Sequence, residues 1–497
     1  MKIIRKKMTA WTMGLMLLLA ACSDGSRYVE ALPADAALVA AVDVNGMARK
    51  AGLLDVEGGT VRTWLKRTLG ESLGESEAML DRLMEDPSGC GLQFTDKVFV
   101  FVASGSEYAG ALFRVKDVDD LEQFVELLRQ QQLCDEVRES DGSSWTLMGG
   151  MLAAWSDRAF LIMASPKGED PARLQRQADR LLRQQEGEGF TATADYARMC
   201  ETKGEVVTLA SLDLFPYQTV LPLTMGLSGD LKLKDVKALA ALEFGEGKAV
   251  MQIQTQVADK VVQSVLEKQL QVTGPLEGTY LEAFPKKMGA WASFNANGKQ
   301  LYDFLNENPY VRRLFEHSMI PIDFAAVFGA IHGDVALAMP DPLHSNAFMA
   351  YARVTGSGFL QTFEDLKPLL AMTGGQARLI NQGEKAYEFR TTDASLIGLP
   401  AGPLALWFGV RGDHLYLTND KRLLDEKVLG LSLASTAWGN RVKGQRFFVA
   451  ADAAGVWPDA ETLTVESADG SNIRVEWVMK DNKTNVLEQL IRRIGLR

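Results

Sequence analysis

The sequence predicts an α+β fold, with two tandem copies of a mixed, mainly antiparallel sheet domain carrying interspersed helices. Three observations carry this expectation. First, short apolar runs such as Val98-Phe-Val-Phe-Val and Ala405-Leu-Trp-Phe-Gly-Val come in series. Gly-Asp, Asp-Gly and Gly-Ser turns separate them, which is hairpin chemistry. Second, helical spacing falls between the runs: Val118, Leu121, Phe124, Val125 and Leu128 share one face of a helix predicted over 117–133. Strands in antiparallel series with helices between them argue for α+β. Third, the chain reads twice. Glu30-Ala-Leu-Pro33 leads to Asp43-Val-Asn45-Gly46, and Glu282-Ala-Phe-Pro285 leads to Asn295-Ala-Asn297-Gly298, at one offset of 252.

Each copy has the same order of elements. A proline precedes a short apolar strand (37–42; 289–294). An Asx-x-Asn-Gly turn follows, since Asn-Gly tolerates positive φ, and then a helix (47–52; 299–306). Asp96-Lys-Val-Phe-Val-Phe resembles Gly333-Asp-Val-Ala-Leu-Ala, and each leads through a strand (108–115; 347–354) to an amphipathic helix. Ala154-Trp-Ser-Asp-Arg-Ala-Phe-Leu-Ile-Met aligns with Phe408-Gly-Val-Arg-Gly-Asp-His-Leu-Tyr-Leu. Each copy closes with a strand and a helix (250–256 and 259–271; 472–479 and 484–494). The period far exceeds the 20–50 residues of solenoid repeats. The copies are placed at 30–273 and 274–497, with Gly274-Pro275 and Gly278 as the break.

The first 21 residues read as a secretory leader. Lys2, Arg5, Lys6 and Lys7 precede an apolar stretch from Trp11 to Ala20, which falls short of the roughly 20 apolar residues a membrane span needs. Leu19-Ala20-Ala21-Cys22 resembles the bacterial lipobox. That resemblance implies cleavage before Cys22, diacylglycerol on its thiol and an acyl chain, such as palmitate, on the new amine. Several acyl chains anchor stably, at about 0.8 kcal/mol per buried CH₂. Residues 22–29 form a lipidated tether. Ser23 does not resemble the aspartate that retains lipoproteins in the inner membrane, so the expected location is the outer membrane. About eight residues, at no more than roughly 3.5 Å each, keep the first copy within about 30 Å of the bilayer.

The formal charge is −11, and removing the four cations of the leader takes the mature chain to −15. Nucleic acid attracts basic surfaces, so this balance argues against it as a partner. An apolar content of 47% argues for a packed core. Besides Cys22 there are Cys90, Cys134 and Cys200. Three is odd, so at least one is free or pairs outside the chain. No histidine lies near them in sequence to activate a thiol, so burial is the expectation.

With lipobox, tether, a Pro-Ala-Asp opening and Val-Asp-Val-Asn-Gly on the page, the chain resembles large Bacteroidales-type lipoproteins catalogued as a domain of unknown function. The resemblance implies an extracytoplasmic α+β lipoprotein and supplies no catalytic residue. Direct reading adds none. There is no G-x-S-x-G, S-x-x-K, H-E-x-x-H, C-x-x-C or G-x-x-x-x-G-K-[ST] pattern, and no Rossmann glycine fingerprint. His317, His332, His344 and His414 are scattered without metal-ligand spacing. No cofactor or metal is expected. Asp43 and Asn295 share a position in the two copies and are read as turn formers. Arg173, Arg176, Arg180 and Arg183 fall on one helix face, either a solvated face or an anion site for lipid headgroups or glycan. Trp145, Trp155, Trp407, Trp438 and Trp457 are read as core, with sugar stacking as the alternative.

The function expected is a lipid-anchored envelope protein that binds a ligand or partner without catalysis. A carboxylate-based glycan hydrolase is the second reading and would need two acids about 5–9.5 Å apart. A structural subunit of an envelope complex is the third. The expected partners are the membrane, through Cys22, and an envelope protein or glycan.

Overall fold

The computed structural model describes residues 27–53, 87–140, 142–165, 168, 171–215, 236–257, 260–307, 309–316, 322–397, 401–425 and 430–495. The fold is mixed, with about 31% helix and 37% strand. Every strand pairing among the described residues is antiparallel, as hairpin turns between alternating runs dictate. Two compact units form. The first takes residues up to 214 together with 237–246 and 483–497, and the second takes 215–236 and 247–482. The leader, Cys22, His317 and the first five residues of the tether lie outside the described residues.

In the first unit the strands are β1 (Leu38–Val42), β2 (Leu92–Gln93), β3 (Val98–Val102), β4 (Ala109–Val115), β5 (Arg138–Ser140), β6 (Ser143–Met148), β7 (Met151–Trp155), β8 (Ala159–Ala164), β9 (Val206–Ser211) and β10 (Val236–Phe244). They pair in the order β5–β6–β7–β8–β4–β3–β1–β9–β10, with β2 beside the far end of β4. The helices α1 (Val44–Lys50), α2 (Val118–Gln130), α3 (Pro171–Leu182) and α4 (Ala194–Glu201) belong to the same unit.

Period-two alternation splits β7 between two cores. Leu152 and Ala154 pack with Leu174, Ala178, Leu181 and Leu182 of α3. Ala153 and Trp155 pack with Leu121, Val125 and Leu128 of α2. Both faces of this end of the sheet are covered, and its strands are accordingly near-continuous apolar runs. Asp117 starts α2 by accepting from the backbone N–H groups of Asp119 and Asp120. The C-terminal helix Val486–Gly495 packs against α1 and buries Val486 and Leu487.

The second unit contains β11 (Lys248–Val257), β12 (Thr273–Gly274), β13 (Ala290–Asn297), β14 (Ile331–Met339), β15 (Met349–Val354), β16 (Ala377–Gly383), β17 (Ala386–Thr391), β18 (Leu404–Arg411), β19 (His414–Thr418), β20 (Phe447–Asp452), β21 (Ala460–Ser467) and β22 (Asn472–Met479). Their order is β16–β17–β18–β19–β15–β14–β13–β20–β21–β22–β11, with β12 beside the end of β13. Helices α5 (Lys260–Val272) and α6 (Gly298–Glu307) pack together. Trp291, Trp438 and Phe448 stack in the core, with ring centroids 5.4–6.3 Å apart.

The compact units do not follow a single cut in the sequence. Residues 247–273 lie in the second unit and 483–497 in the first. The turn reading survives at Asp43 only as a helix cap: its Oδ1 accepts from Gly46 N at 2.7 Å, and α1 starts at Val44, so Asn45 and Gly46 are helical where a turn before residue 47 was expected. It fails for Asn295. Strand β13 runs on to Asn297, and Asn297 caps α6 instead. Asn295 stays inside the sheet, where its side chain takes on a different partner.

Candidate functional site: a polar cleft in the second unit

That partner is Asp334, a carboxylate only 1% exposed in β14, just before its apolar run 335–339. Burying a charge is costly unless it is paired or hydrogen-bonded. Three donors meet the requirement: Asn295 Nδ2 at 3.0 Å, Glu277 N at 3.1 Å and Thr279 N at 2.9 Å. Asp334 therefore fixes the loop 277–279 against β13 and β14.

The loop forms one wall of a cleft of about 580 Å³. The other walls come from the end of α5 and β12, the end of β13, the start of β14, the end of β15 and the turn before β19. Its polar side chains include Gln271, Asn297, Gln300, His332, Arg353 and Asp413, and no aromatic ring of Phe, Tyr or Trp lines it.

Arg353 organises the charge. Its Nη1 donates to Glu277 Oε2 at 3.0 Å, and its Nε lies 3.5 Å from Asp413 Oδ2. Gly333 passes beneath it with φ +114°, and a Cβ there would lie 3.2 Å from Arg353 Cδ. Glycine is required at that conformation and at that approach.

Behind Asp413 a polar chain runs into the core. His414 Nε2 lies 3.0 Å from Asp413 Oδ1, and His414 Nδ1 lies 3.0 Å from Tyr280 Oη. A carboxylate only accepts, so Nε2 carries the hydrogen and Nδ1 accepts from the phenol. Burial, followed by the charge of Asp334, pushes the Tyr280 phenol well above its ordinary range, which keeps it a neutral donor. Tyr280 also stacks on Tyr351 at 5.4 Å. The cleft thus has a hydrogen-bonded floor and a rim on which one guanidinium faces two carboxylates.

A family model described as Domain of unknown function (DUF4836) matches residues 28–456. The chain belongs to this family. No curated protein matches it. Solved structures similar to part of this family member include crystal form IV of TP0453, 11% identical, covering 46% of this chain and 79% of that one, with a TM-score of 0.28. Crystal form I of TP0453 is 9% identical and covers 49% and 86%, with a TM-score of 0.27.

The residues singled out in the sequence fall in different places in this family member. His332 lines the cleft and His414 backs it, whereas His344 bonds Asp341 in an exposed loop. Cys90 and Cys134 are buried and Cys200 is exposed, and among the described residues none of them forms a disulfide. Burial pushes the Cys134 thiol up, away from reactivity. Trp155 and Trp438 are buried. Trp457 packs edge-on against Trp477, and Arg138 lies over Trp145. The arginine series of α3 is exposed on the first unit. Among the described residues no His/Cys/Asp/Glu group could hold a metal ion, and no helix is long and apolar enough to cross a membrane.

A second polar cluster lies on the core side of β21 and β22. Arg441 donates to Glu476 at 2.7 Å and to Thr464 at 2.9 Å, and Arg474 donates to Glu476 at 2.6 Å. Both guanidinium groups lie about 3.5 Å from Glu466. Burial pushes Glu466 up. Burial acts on Glu476 too, but the hydrogen bond from Arg474 and the charges of Arg441 and Arg474 outweigh it and hold that acid down. These carboxylates are consumed by arginines and do not line the cleft.

Sequence reasoning missed Glu277, Asp334, Arg353 and Asp413. One signal was available for Asp334: an acid set at the head of an apolar strand run demands an internal partner.

Proposed function

We propose that this protein is a lipid-anchored outer-membrane lipoprotein that binds a hydroxyl-rich ligand, of glycan type, in the cleft of its second unit. The lipobox at Leu19–Cys22 supports the anchor. The observation that carries the binding reading is the rim itself, where Arg353 is tied up by both Glu277 and Asp413 and surrounded by the amides of Gln271, Asn297 and Gln300. Amides offer both donors and acceptors, which matches hydroxyl groups better than it matches a net charge. A glycan hydrolase keeps one acid protonated beside an ionised one. Both rim acids here face a permanent cation, which favours binding over hydrolysis.

We also propose that the two units descend from one duplicated domain. The support is the shared strand order around β1 and β13, together with the sequence match at offset 252.

A glycan array probed with the lipid-free mature chain tests the ligand class. Arg353→Ala and Gln300→Ala are expected to lose at least tenfold in retention while the unfolding midpoint barely moves. Equal retention by both variants would remove the cleft as the site. Membrane fractionation of Cys22→Ser tests the anchor independently.

A further inference from the structure

A titratable ring stands directly behind the rim of the cleft. His414 Nε2 lies 3.0 Å from Asp413 Oδ1, and His414 Nδ1 lies 3.0 Å from Tyr280 Oη. The other oxygen of the same carboxylate, Oδ2, lies 3.5 Å from Arg353 Nε. One carboxylate is thus shared between a permanent cation and a ring whose charge depends on pH. Histidine ordinarily changes charge between about pH 5 and 8.

The charged groups around the ring act in both directions. Register sets Arg353 of β15 and Arg411 of β18 opposite His414, on one face of the sheet. Both are permanent cations and oppose a third. Arg411 lies over the Tyr416 ring, 4.7 Å from its centroid, and Arg353 donates to Glu277 at 3.0 Å. Asp413 favours the imidazolium. Glu277 of the loop and Asp334 of β14, whose charge reaches Tyr280, act in the same sense. Burial holds the phenols of Tyr280 and Tyr351 above their ordinary range, so both stay neutral through this window. Carboxylic acids ordinarily titrate below it. His332 lines the cleft itself, so its charge has to be separated from that of His414 by experiment.

With a neutral ring, Nδ1 accepts from the phenol and Asp413 faces both of its neighbours. A proton taken from solvent goes to Nδ1. Both ring nitrogens then donate, so the Tyr280 oxygen becomes the acceptor and its own hydrogen turns away. Asp413 now meets a full positive charge at its nearer partner, and its hold on Arg353 weakens. The Nε edge of Arg353 opens to an anion from outside, while Glu277 keeps Nη1. We propose that His414 is a positioning residue that makes the ligand choice of the cleft depend on pH: its imidazolium form admits a saccharide bearing a carboxylate, of hexuronate type, at Arg353. The proposal rests on the glycan-binding reading and narrows it. The amides of Gln271, Asn297 and Gln300 serve hydroxyl groups in either state, and a guanidinium edge suits a planar carboxylate.

The test is calorimetric titration of the mature chain carrying Cys22→Ser, with trigalacturonate as the charged probe and maltotriose as the neutral one, at about pH 8 and about pH 5.5, either side of the histidine range. Trigalacturonate is expected to bind about tenfold more tightly at the lower pH, the size of one added charge acting across a partly solvated rim. Maltotriose, which carries no charge, is expected to show no such gain. His414→Gln is expected to remove the gain. Tyr280→Phe takes away the donor to the neutral ring and is expected to move the onset of the gain to higher pH. His344→Gln alters the exposed histidine paired with Asp341 and is expected to keep the full response. No gain at the lower pH, no binding of trigalacturonate at either pH, an equal gain for maltotriose, a gain that survives His414→Gln, or one that His332→Gln alone abolishes would each overturn the proposal. Should His414→Gln fail to fold, an onset left in place or lowered by Tyr280→Phe would do the same. Failure of the glycan-binding reading shows separately, as neutral and charged glycans all unretained on the array at both pH values, whereas retention of neutral glycans without the acid gain strikes the pH dependence alone.

Discussion

The two units reach the same point on their sheets and finish it differently. In each, an arginine closes the strand beside the sheet centre: Arg114 on β4 and Arg353 on β15. In each, the next residue donates its N–H to the turn before the neighbouring strand, Val115 to Arg158 O and Val354 to Asp413 O. In the first unit that strand end is sealed. Arg114 donates to Asp96 at 2.8 Å, β2 pairs with Val115 and Arg114, and Arg158 reaches the carbonyls of Leu182 and Gln184. Gly91 brings this seal so near to α2 that a Cβ would come within 2.3 Å of Leu121 N. By strand register, Gly333 of the second unit takes the place that Asp96 has in the first, and Asp413 that of Arg158, one residue away from the pairing expected from the alignment of 154–163 with 408–417. The arginine then turns to Glu277 and Asp413, and the space stays open as the cleft. Under the proposed duplication, the same strand order ends closed in one unit and open in the other.

The largest perturbations ask whether the units are separate in stability as well as in contacts. Phe101 and Phe448 are both fully buried, one in each unit. Phe101→Ala and Phe448→Ala are each expected to cost about 3–5 kcal/mol, read by chemical denaturation. Hydrogen exchange should place the loss in β1–β3–β9 for the first and β13–β14–β20 for the second. Loss spread evenly over both units would break the comparison.

Asp334→Asn comes next. It sets an amide against three N–H donors and should cost about 1.5–3 kcal/mol, with new exchange at Glu277 and Thr279. No comparable loss is expected from Lys97→Asn, one residue before β3 as Asp334 is one residue before Val335.

The glutamate pair of the second unit gives opposite pH slopes. Glu476 is held below its ordinary value, so its contribution is present above the unfolded pKa and fades as pH falls through the folded one. The gap between the parent and Glu476→Gln should therefore shrink from pH 7 to pH 4. Glu466 is pushed up, so its contribution is full below the unfolded pKa and is lost as pH rises through the folded one. The parent should lose ground to Glu466→Gln as pH rises over that range. Urea titrations at both pH values distinguish the two, and parallel slopes would contradict the assigned directions.

Smaller again, Asp117→Ala should cost about 1 kcal/mol by removing the cap of α2, measured by thermal unfolding. Arg353→Ala should cost less than about 1 kcal/mol, because its ion pairs are largely exposed. Its measurable effect is on the cleft, and a large stability loss would recast Arg353 as a structural residue.

The elements were legible because their signals are local. Val98–Val102 alternates, Asp117 precedes an apolar helical face, and Asp43 stands before Asn45-Gly46. The length of β13 was not legible, because the pairing with β14 through Asn297 outweighs the turn preference of Asn295. The cleft was not legible either. Glu277 and Arg353 are 76 residues apart in sequence, and only the pairing of β14, β15 and β19 brings them to one rim. Segment membership was hidden for the same reason, since no local feature of residues 486–495 says which unit they complete.

That last feature bears on how the protein is made. The C-terminal helix belongs to the unit that begins the chain. A ribosome delivers α1 well before the residues that cover it. The first unit therefore stays incomplete while the second is synthesised, until Val486 and Leu487 arrive. Loss of these residues would be felt far away in the sequence, in the unit that contains α1.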